Sequence, residues 1–262
     1  MKIKQVLSAL ERFAPLPLQE SWDNAGLQLG LTEAEVSGAL LCLDVNEAII
    51  DEAIRKGCNL IVSHHPLLFR GLKQITDANY VQRCVIKAIK HDIAIVSMHT
   101  NMDNALDGVN FKIAERLGMN HLAFLAPLSS EKAETSGSGV IGQLPQSMQT
   151  EAFIQLLKAR FQVACVQCNA LLERPITKVA ICGGAGDFLL DNALAQGADA
   201  FITGEMHYHQ YFGYDQQIQI CVIGHYQSEQ YTAEIFRDII QRECPGVRTE
   251  IAETNTNPII YI

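Results

Sequence analysis

No apolar run in this sequence approaches the roughly eighteen residues that a membrane-spanning helix needs, so no part of it is expected to cross a bilayer. Runs of lysine and arginine are missing as well, and the formal net charge is −9. A surface of that sign repels duplex phosphates, which argues against nucleic acid as the main partner. A nucleotide substrate stays open, because metal ions can supply positive charge locally. The opening Met1-Lys2-Ile3-Lys4-Gln5 has no apolar core and no small-residue cleavage site of a secretory signal, which points to the cytoplasm. Among the eight cysteines there is one CxxC, Cys165-x-x-Cys168, and no second to complete a four-cysteine zinc site. Val163–Cys168 reads as a strand and not as the turn that opens a redox helix, so a redox role for that pair is not expected. The other cysteines lie mostly in apolar runs, where a free thiol behaves as a small hydrophobe. What is present is ordinary for a globular chain: 262 residues, 48% hydrophobic and 19% charged.

Strand and helix patterns alternate. Ile3–Phe13 carries apolar residues at helical spacing, and Ala39–Leu43 is a short apolar run suited to a buried strand. Asn46 is placed to cap a helix to about Lys56, Gly57 ends it, and Asn59–Ser63 is the next strand. A helix over Tyr80–Lys90, a strand over Ile93–Met98 and a helix over Ala105–Leu117 follow. Leu128–Gly139, rich in serine and glycine, has linker composition. The organisation expected is an N-terminal α/β lobe over 1–127, a linker over 128–139 and a C-terminal α/β lobe over 140–262, joined as one integrated domain.

The second half repeats the first. Setting Cys42 against Cys182 brings Leu41 to Ile181, Asp51 to Asp191, Ala53 to Ala193, Gly57 to Gly197 and Ser63 to Thr203, with His64 and His65 meeting Gly204 and Glu205. At a shorter offset His99-x-x-x-Asp103 falls on His225-x-x-x-Glu229, each just past an apolar strand, Ile93–Met98 or Ile218–Ile223. Two related lobes from an internal duplication, with mixed sheets and a site between them, is the fold class this predicts.

The polar chemistry gathers at strand exits. His64-His65-Pro66 ends the strand Asn59–Ser63, where a turning chain can aim both rings at one cavity, at the strand end where α/β proteins place ligands. One structural and one exposed histidine is the plainer reading of such a pair. Against it, His64, His65, His99, His207, His209 and His225 all fall at strand exits, and only His91 and His121 lie elsewhere. Imidazole with carboxylate suits Zn, Fe, Mn, Co or Ni, and five or so converging donors meet the need of two ions. His99 serves either to orient a ligand or to satisfy local packing. Glu205 and His207 are candidates for a general acid/base pair, or they hold the strand exit. Asp23 and Asn24 either close the cavity or make an ordinary turn. Gly183-Gly184-Ala185-Gly186 lacks both the GxGxxG and the Lys-Ser/Thr of phosphate loops, so close backbone packing is its expected role.

Taken together, Trp22-Asp23-Asn24-x-Gly26-Leu27, Ser63-His64-His65-Pro66, His99-x-x-x-Asp103, Thr203-Gly204-Glu205-x-His207 and Gly224-His225-x-x-x-Glu229 resemble the NGG-interacting-factor, or Nif-three-like, family over essentially the whole chain. Its bacterial members are often labelled GTP cyclohydrolase I type 2 homologues, and the YbgI-type branch is the nearest in pattern. Longer members carry a small extra domain between the lobes, so this chain resembles the short form. The resemblance implies a dinuclear metal centre with His64, His65, Asp103, His225 and Glu229 as ligands, Glu229 bridging. It also implies a homohexameric ring, a trimer of dimers. The activity expected is metal-dependent hydrolysis of a small nucleotide-like or heterocyclic molecule. A metal-handling or cofactor-binding protein, or a scaffold related to DNA damage, each without turnover, stays open as the alternative.

Overall fold

The computed structural model describes residues 1–129, 135–260 and 262. Along the chain run α1 (Ile3–Phe13), β1 (Gly26–Leu29), β2 (Ala39–Cys42), α2 (Glu47–Arg55), β3 (Leu60–Ser63), α3 (Tyr80–Lys90), β4 (Ala94–Ser97), the single turn α4 (Thr100–Asp103) and α5 (Val109–Leu117). Then come β5 (Asn120–Pro127), β6 (Gly137–Met148), α6 (Thr150–Phe161), β7 (Gln167–Cys168), β8 (Ile176–Cys182), α7 (Leu190–Ala195), β9 (Ala200–Thr203), β10 (Gln219–Val222), α8 (His225–Glu229), α9 (Thr232–Glu243) and β11 (Thr249–Ile251). Of the serine- and glycine-rich stretch 128–139, residues 130–134 lie outside the described residues and Gly137–Gly139 open β6. Among the described residues no helix is long and apolar enough to cross a membrane.

The elements form a mixed α/β fold with two sheets, one in each of two compact units. The first unit comprises Met1–Ala105 and Thr232–Ile260. Its strands lie in the order β1-β4-β3-β2-β11, parallel from β4 to β11 with β1 antiparallel at the edge. Every residue of β2, β3 and β4 is buried, as expected for parallel strands covered on both faces. One core gathers Leu40, Ile50, Ile61, Cys84 and Ile95 under α2 and α3. Asn46 and Asn79 cap those two helices by accepting from the backbone N–H of Ile49 and Gln82. α9 packs on α1 and against β2, β3 and β11, with Phe236 and Ile240 wholly buried. Phe236→Ala should therefore cost about 3–5 kcal/mol of stability, measured by urea unfolding.

The second unit comprises Leu106–Tyr231 together with Ile262. Its strand order is β5-β6-β8-β9-β10-β7: β8, β9 and β10 are parallel, and β5, β6 and β7 join antiparallel. α5 packs on β6 and β8, and α7 packs on β5 and β9 over a core holding Leu125, Ala180, Phe201 and Ile220.

The duplicated pattern recurs in the registers. Cys42 stands opposite Ser63 in the first unit, and Cys182 stands opposite Thr203 in the second. Gly57 and Gly197, each just after the intervening helix, take left-handed φ values of 64° and 69°.

Two expected elements differ. The helix expected over Ala105–Leu117 begins only at Val109, because Asp107 takes a left-handed φ of 59° and Gly108 is the cap of α5. The strand over Val163–Cys168 shrinks to Gln167–Cys168, since Gln162, also left-handed, ends α6 and only the last two residues reach β10.

Candidate metal centre

In the first unit β3 delivers its two histidines through a tight bend. The backbone N–H groups of His64 and His65 both donate to the carbonyl of Leu43, and the Ser63 hydroxyl donates to the carbonyl of His65 at 2.9 Å. The bend brings the two rings onto one side, with centroids 4.9 Å apart. His99, at the exit of β4, joins them at 5.2 Å from His64 and 5.4 Å from His65.

Each of the three rings is held by its Nδ1. His64 is wholly buried and donates from Nδ1 to the carbonyl of Met98 at 2.8 Å. His65 donates to Asp44 Oδ1 at 2.7 Å, and Thr256 donates its hydroxyl to the other oxygen of Asp44. His99 donates to Asp23 Oδ1 at 2.8 Å, while Asp23 Oδ2 accepts from the Thr100 backbone N–H at 3.0 Å and from its hydroxyl. A neutral imidazole whose Nδ1 carries the proton presents the Nε2 lone pair, the arrangement a metal-binding histidine needs. His64, His65 and His99 can offer ring nitrogens that all lie within 4.8 Å of one another, so this group could hold a metal ion. Asp103, one helical turn past His99, brings Oδ1 to 3.6 Å from His64 Nε2.

The supporting carboxylates are tuned to stay ionised. Burial pushes the Asp23 carboxyl up, but hydrogen bonds from His99 and Thr100 overcome it and hold the pKa at about 2. Asp44 is raised by burial and lowered further by His65 and Thr256, ending below the usual carboxylate range.

The second unit builds a smaller set in the same way. At the exit of β9, Gly204 and Glu205 both donate their backbone N–H to the carbonyl of Gly184 at 2.9 Å. At the exit of β10, Gly224 turns the chain with a φ of 99° into α8, which carries His225 and Glu229 one turn apart. His225 donates from Nδ1 to Glu205 Oε1 at 3.0 Å, and its Nε2 lies 3.1 Å from Glu229 Oε2. Glu229 is buried, seated against Gly184, where a Cβ would fall 2.3 Å from Glu229 Oε1. The Gly183–Gly186 loop thus works by close packing. Gly184 N–H donates to Ser228 Oγ, and a Cβ on Gly186 would meet the Cys182 carbonyl at 2.4 Å. His207 and His209 are exposed, flanking or within the short turn Tyr208–Tyr211, whose first residue follows His207.

Sequence reasoning missed Asp44 and Thr256 behind His65. Asp44 had a signal: it is a carboxylate at the exit of β2, the same kind of position that singled out the histidines. Asp23, left open as a turn residue, faces His99, and Asn24 fixes the loop by donating to the Leu68 carbonyl at 2.6 Å.

The sequence model of the family described as Duf34/NIF3 (NGG1p interacting factor 3) matches residues 1–258. A Campylobacter jejuni protein named "GTP cyclohydrolase 1 type 2 homolog" is 32% identical over 263 residues, covering 100% of both chains. A Clostridium perfringens protein of the same name is 36% identical over 232 residues, 87% of each chain. Among solved structures, a Staphylococcus aureus protein superposes with a TM-score of 0.91 at 28% identity, covering 100% of this chain and 99% of that one. A Bacillus cereus protein related to NIF3 superposes with a TM-score of 0.90 at 24% identity over the same shares.

Proposed function

This chain belongs to the Duf34/NIF3 family, and from that premise we propose that it is a metal-dependent hydrolase of a small nucleotide-like or heterocyclic substrate. In this reading His64, His65, Asp103, His225 and Glu229 hold a pair of divalent ions. The observation that carries it is the common construction of the histidines. In both units an imidazole at a strand exit has its Nδ1 committed to a carbonyl or carboxylate, and Nε2 of His64 and of His225 faces a carboxylate, Asp103 or Glu229. Two metal ions held there would supply a water of lowered pKa and polarise a substrate oxygen.

The chain's own groups do the rest. Asp44 and Glu205 orient His65 and His225, and Asp23 orients His99, which stands beside the donors to carry a proton. Trp22 and Phe69, 58% and 45% exposed with centroids 5.8 Å apart, flank His99 at 6.0 and 6.3 Å. Exposed rings beside a polar site favour a flat, unsaturated substrate that stacks on them. The names of the curated relatives point to the same substrate class.

The test is a metal-defined preparation screened against nucleotides, phosphoesters and cyclic amides, with elemental analysis alongside. Titration of metal-free protein should saturate near two ions per chain. His65→Ala and Glu229→Ala should stay folded while losing metal and turnover. Full metal occupancy in Glu229→Ala would remove that residue from the site. Metal-loaded protein that turns over none of these substrates would favour metal handling instead. Asp44→Ala should weaken metal affinity about 10–100-fold without unfolding the chain, because His65 loses the group that fixes its tautomer.

A further inference from the structure

A cavity of ≈ 300 Å³ opens in the second unit beside the edge strand β7, lined by Gln167, Cys168, Asn169, Tyr208, Tyr211 and Phe212. That volume is at the small end of what ligand pockets use. Tyr208 and Phe212 are 73% and 63% exposed, with ring centroids 5.4 Å apart. Cys168 is half-buried in the wall, and Cys221 on β10 stands directly opposite it in the antiparallel register. Directly opposed residues of antiparallel strands have Cα atoms about 4.5 or 5.5 Å apart and share one face of the sheet. Both separations lie inside the roughly 4.4–6.8 Å that a disulfide accepts, so the register sets the two cysteines at a spacing compatible with a link. Both are free thiols in the structure, and the metal-centre reading uses neither.

Their positions separate an attacking thiol from a resolving one, since Cys168 lines the cavity and Cys221 is buried behind it. The neighbouring Cys221 thiol and the charge of Lys158 together outweigh burial and hold the Cys168 thiol below the usual range, and the Cys168 S–H donates to the Val166 carbonyl at 3.8 Å. Cys221 shifts upward, through the neighbouring Cys168 thiol and its own complete burial. The Tyr211 phenol is raised by burial and by the neighbouring thiols of Cys168 and Cys221. Cys165, the other half of the CxxC, is exposed in the coil ahead of β7 and has no place in the register.

We propose that Cys168 is a reactive thiol that takes low-molecular-weight disulfides of the glutathione disulfide class in this cavity, with Cys221 as its resolving partner. The Cys168 sulfur attacks one sulfur of the disulfide. The S–S bond breaks, and one thiolate departs with the Cys168 proton, leaving a mixed disulfide. The Cys221 sulfur then attacks Cys168 Sγ and passes its proton to the second departing thiolate, which closes Cys168–Cys221. The protein loses two electrons and two protons, and the small disulfide becomes two thiols.

The experiment incubates the folded full-length chain with glutathione disulfide, then maps peptides without reduction. The expected product is one Cys168–Cys221 link and a whole-chain mass lower by two hydrogens. Cys221→Ser, or Cys221→Ala if the serine variant misfolds, should stop at a glutathionyl adduct on Cys168. Cys168→Ser should form neither product, and Cys165→Ser should behave as the unaltered chain. A Cys165–Cys168 link, an adduct on Cys165 with Cys168 untouched, or no loss of free thiols at excess oxidant would each overturn the proposal.

Discussion

Glu52→Ala is expected to lower the unfolding free energy by about 3 kcal/mol, the scale of breaking a buried, fully bonded charge. Glu52 lies on α2 with no exposed surface. Its carboxylate accepts from the backbone N–H of Glu253 at 2.8 Å and of Thr254 at 3.0 Å, from the Thr254 hydroxyl at 2.6 Å, and pairs with Lys56 Nζ at 3.2 Å. Alanine would leave these donors without their acceptor and release the segment after β11. Burial alone would raise this carboxyl, but the hydrogen bonds prevail and hold its pKa at about 2, below an ordinary value of 4.5. The sign follows from that depression. The contribution is fully present above about pH 4.5 and is lost as the pH falls through 4.5 toward 2. The stability gap from the unaltered chain should accordingly shrink across that window. Urea unfolding at several pH values, read by circular dichroism and by the fluorescence of Trp22, the single tryptophan, checks this. A gap that stays constant down to pH 2.5 would show that Glu52 stabilises by packing and not by charge.

Gly184→Ala should be clearly destabilising in the second unit. Two effects add there. A φ of 60° puts the residue in the left-handed region, worth about 1–2 kcal/mol for alanine. The new Cβ would also stand 2.3 Å from Glu229 Oε1 and 3.2 Å from its Cδ, in a buried setting where overpacking costs about 1–3 kcal/mol more. Gly197→Ala is the matched control, since its φ is 69° and a Cβ there meets nothing within 4 Å. Gly184→Ala is therefore expected to lose about 2–5 kcal/mol, against about 1–2 kcal/mol for Gly197→Ala. On the metal-centre reading it should also weaken metal binding at least about tenfold, because Glu229 must move aside. Equal losses of stability from the two variants would mean that Glu229 gives way freely.

Much of this was legible in the chain because it is local. Apolar runs marked β2, β3, β4 and β10, the Asn46 cap marked α2, and the concentration of histidine past those strands marked the candidate site. The alignment of Cys42 with Cys182 anticipated matching registers, since a repeated strand–helix–strand unit carries its glycine turn with it. What the sequence hid depends on distant pairing. β1 is an antiparallel edge because Gly26 meets Ser97. Asp44 buttresses His65 because β2 and β3 end side by side. Cys168 faces Cys221 across two strands that periodicity cannot bring into register, so the CxxC spacing drew notice to the wrong partner.

The return of residues 232–260 to the first unit bears on how the chain is made. During vectorial synthesis the strands β1 to β4 leave the ribosome long before α9 and β11, which close over β2 and β3. Until then β2 is an unpaired edge on one side, and the face that later receives Phe236, Ile239 and Ile240 stands bare. A chain that ends before Thr232 therefore lacks both the partner strand of β2 and the helix that covers this face.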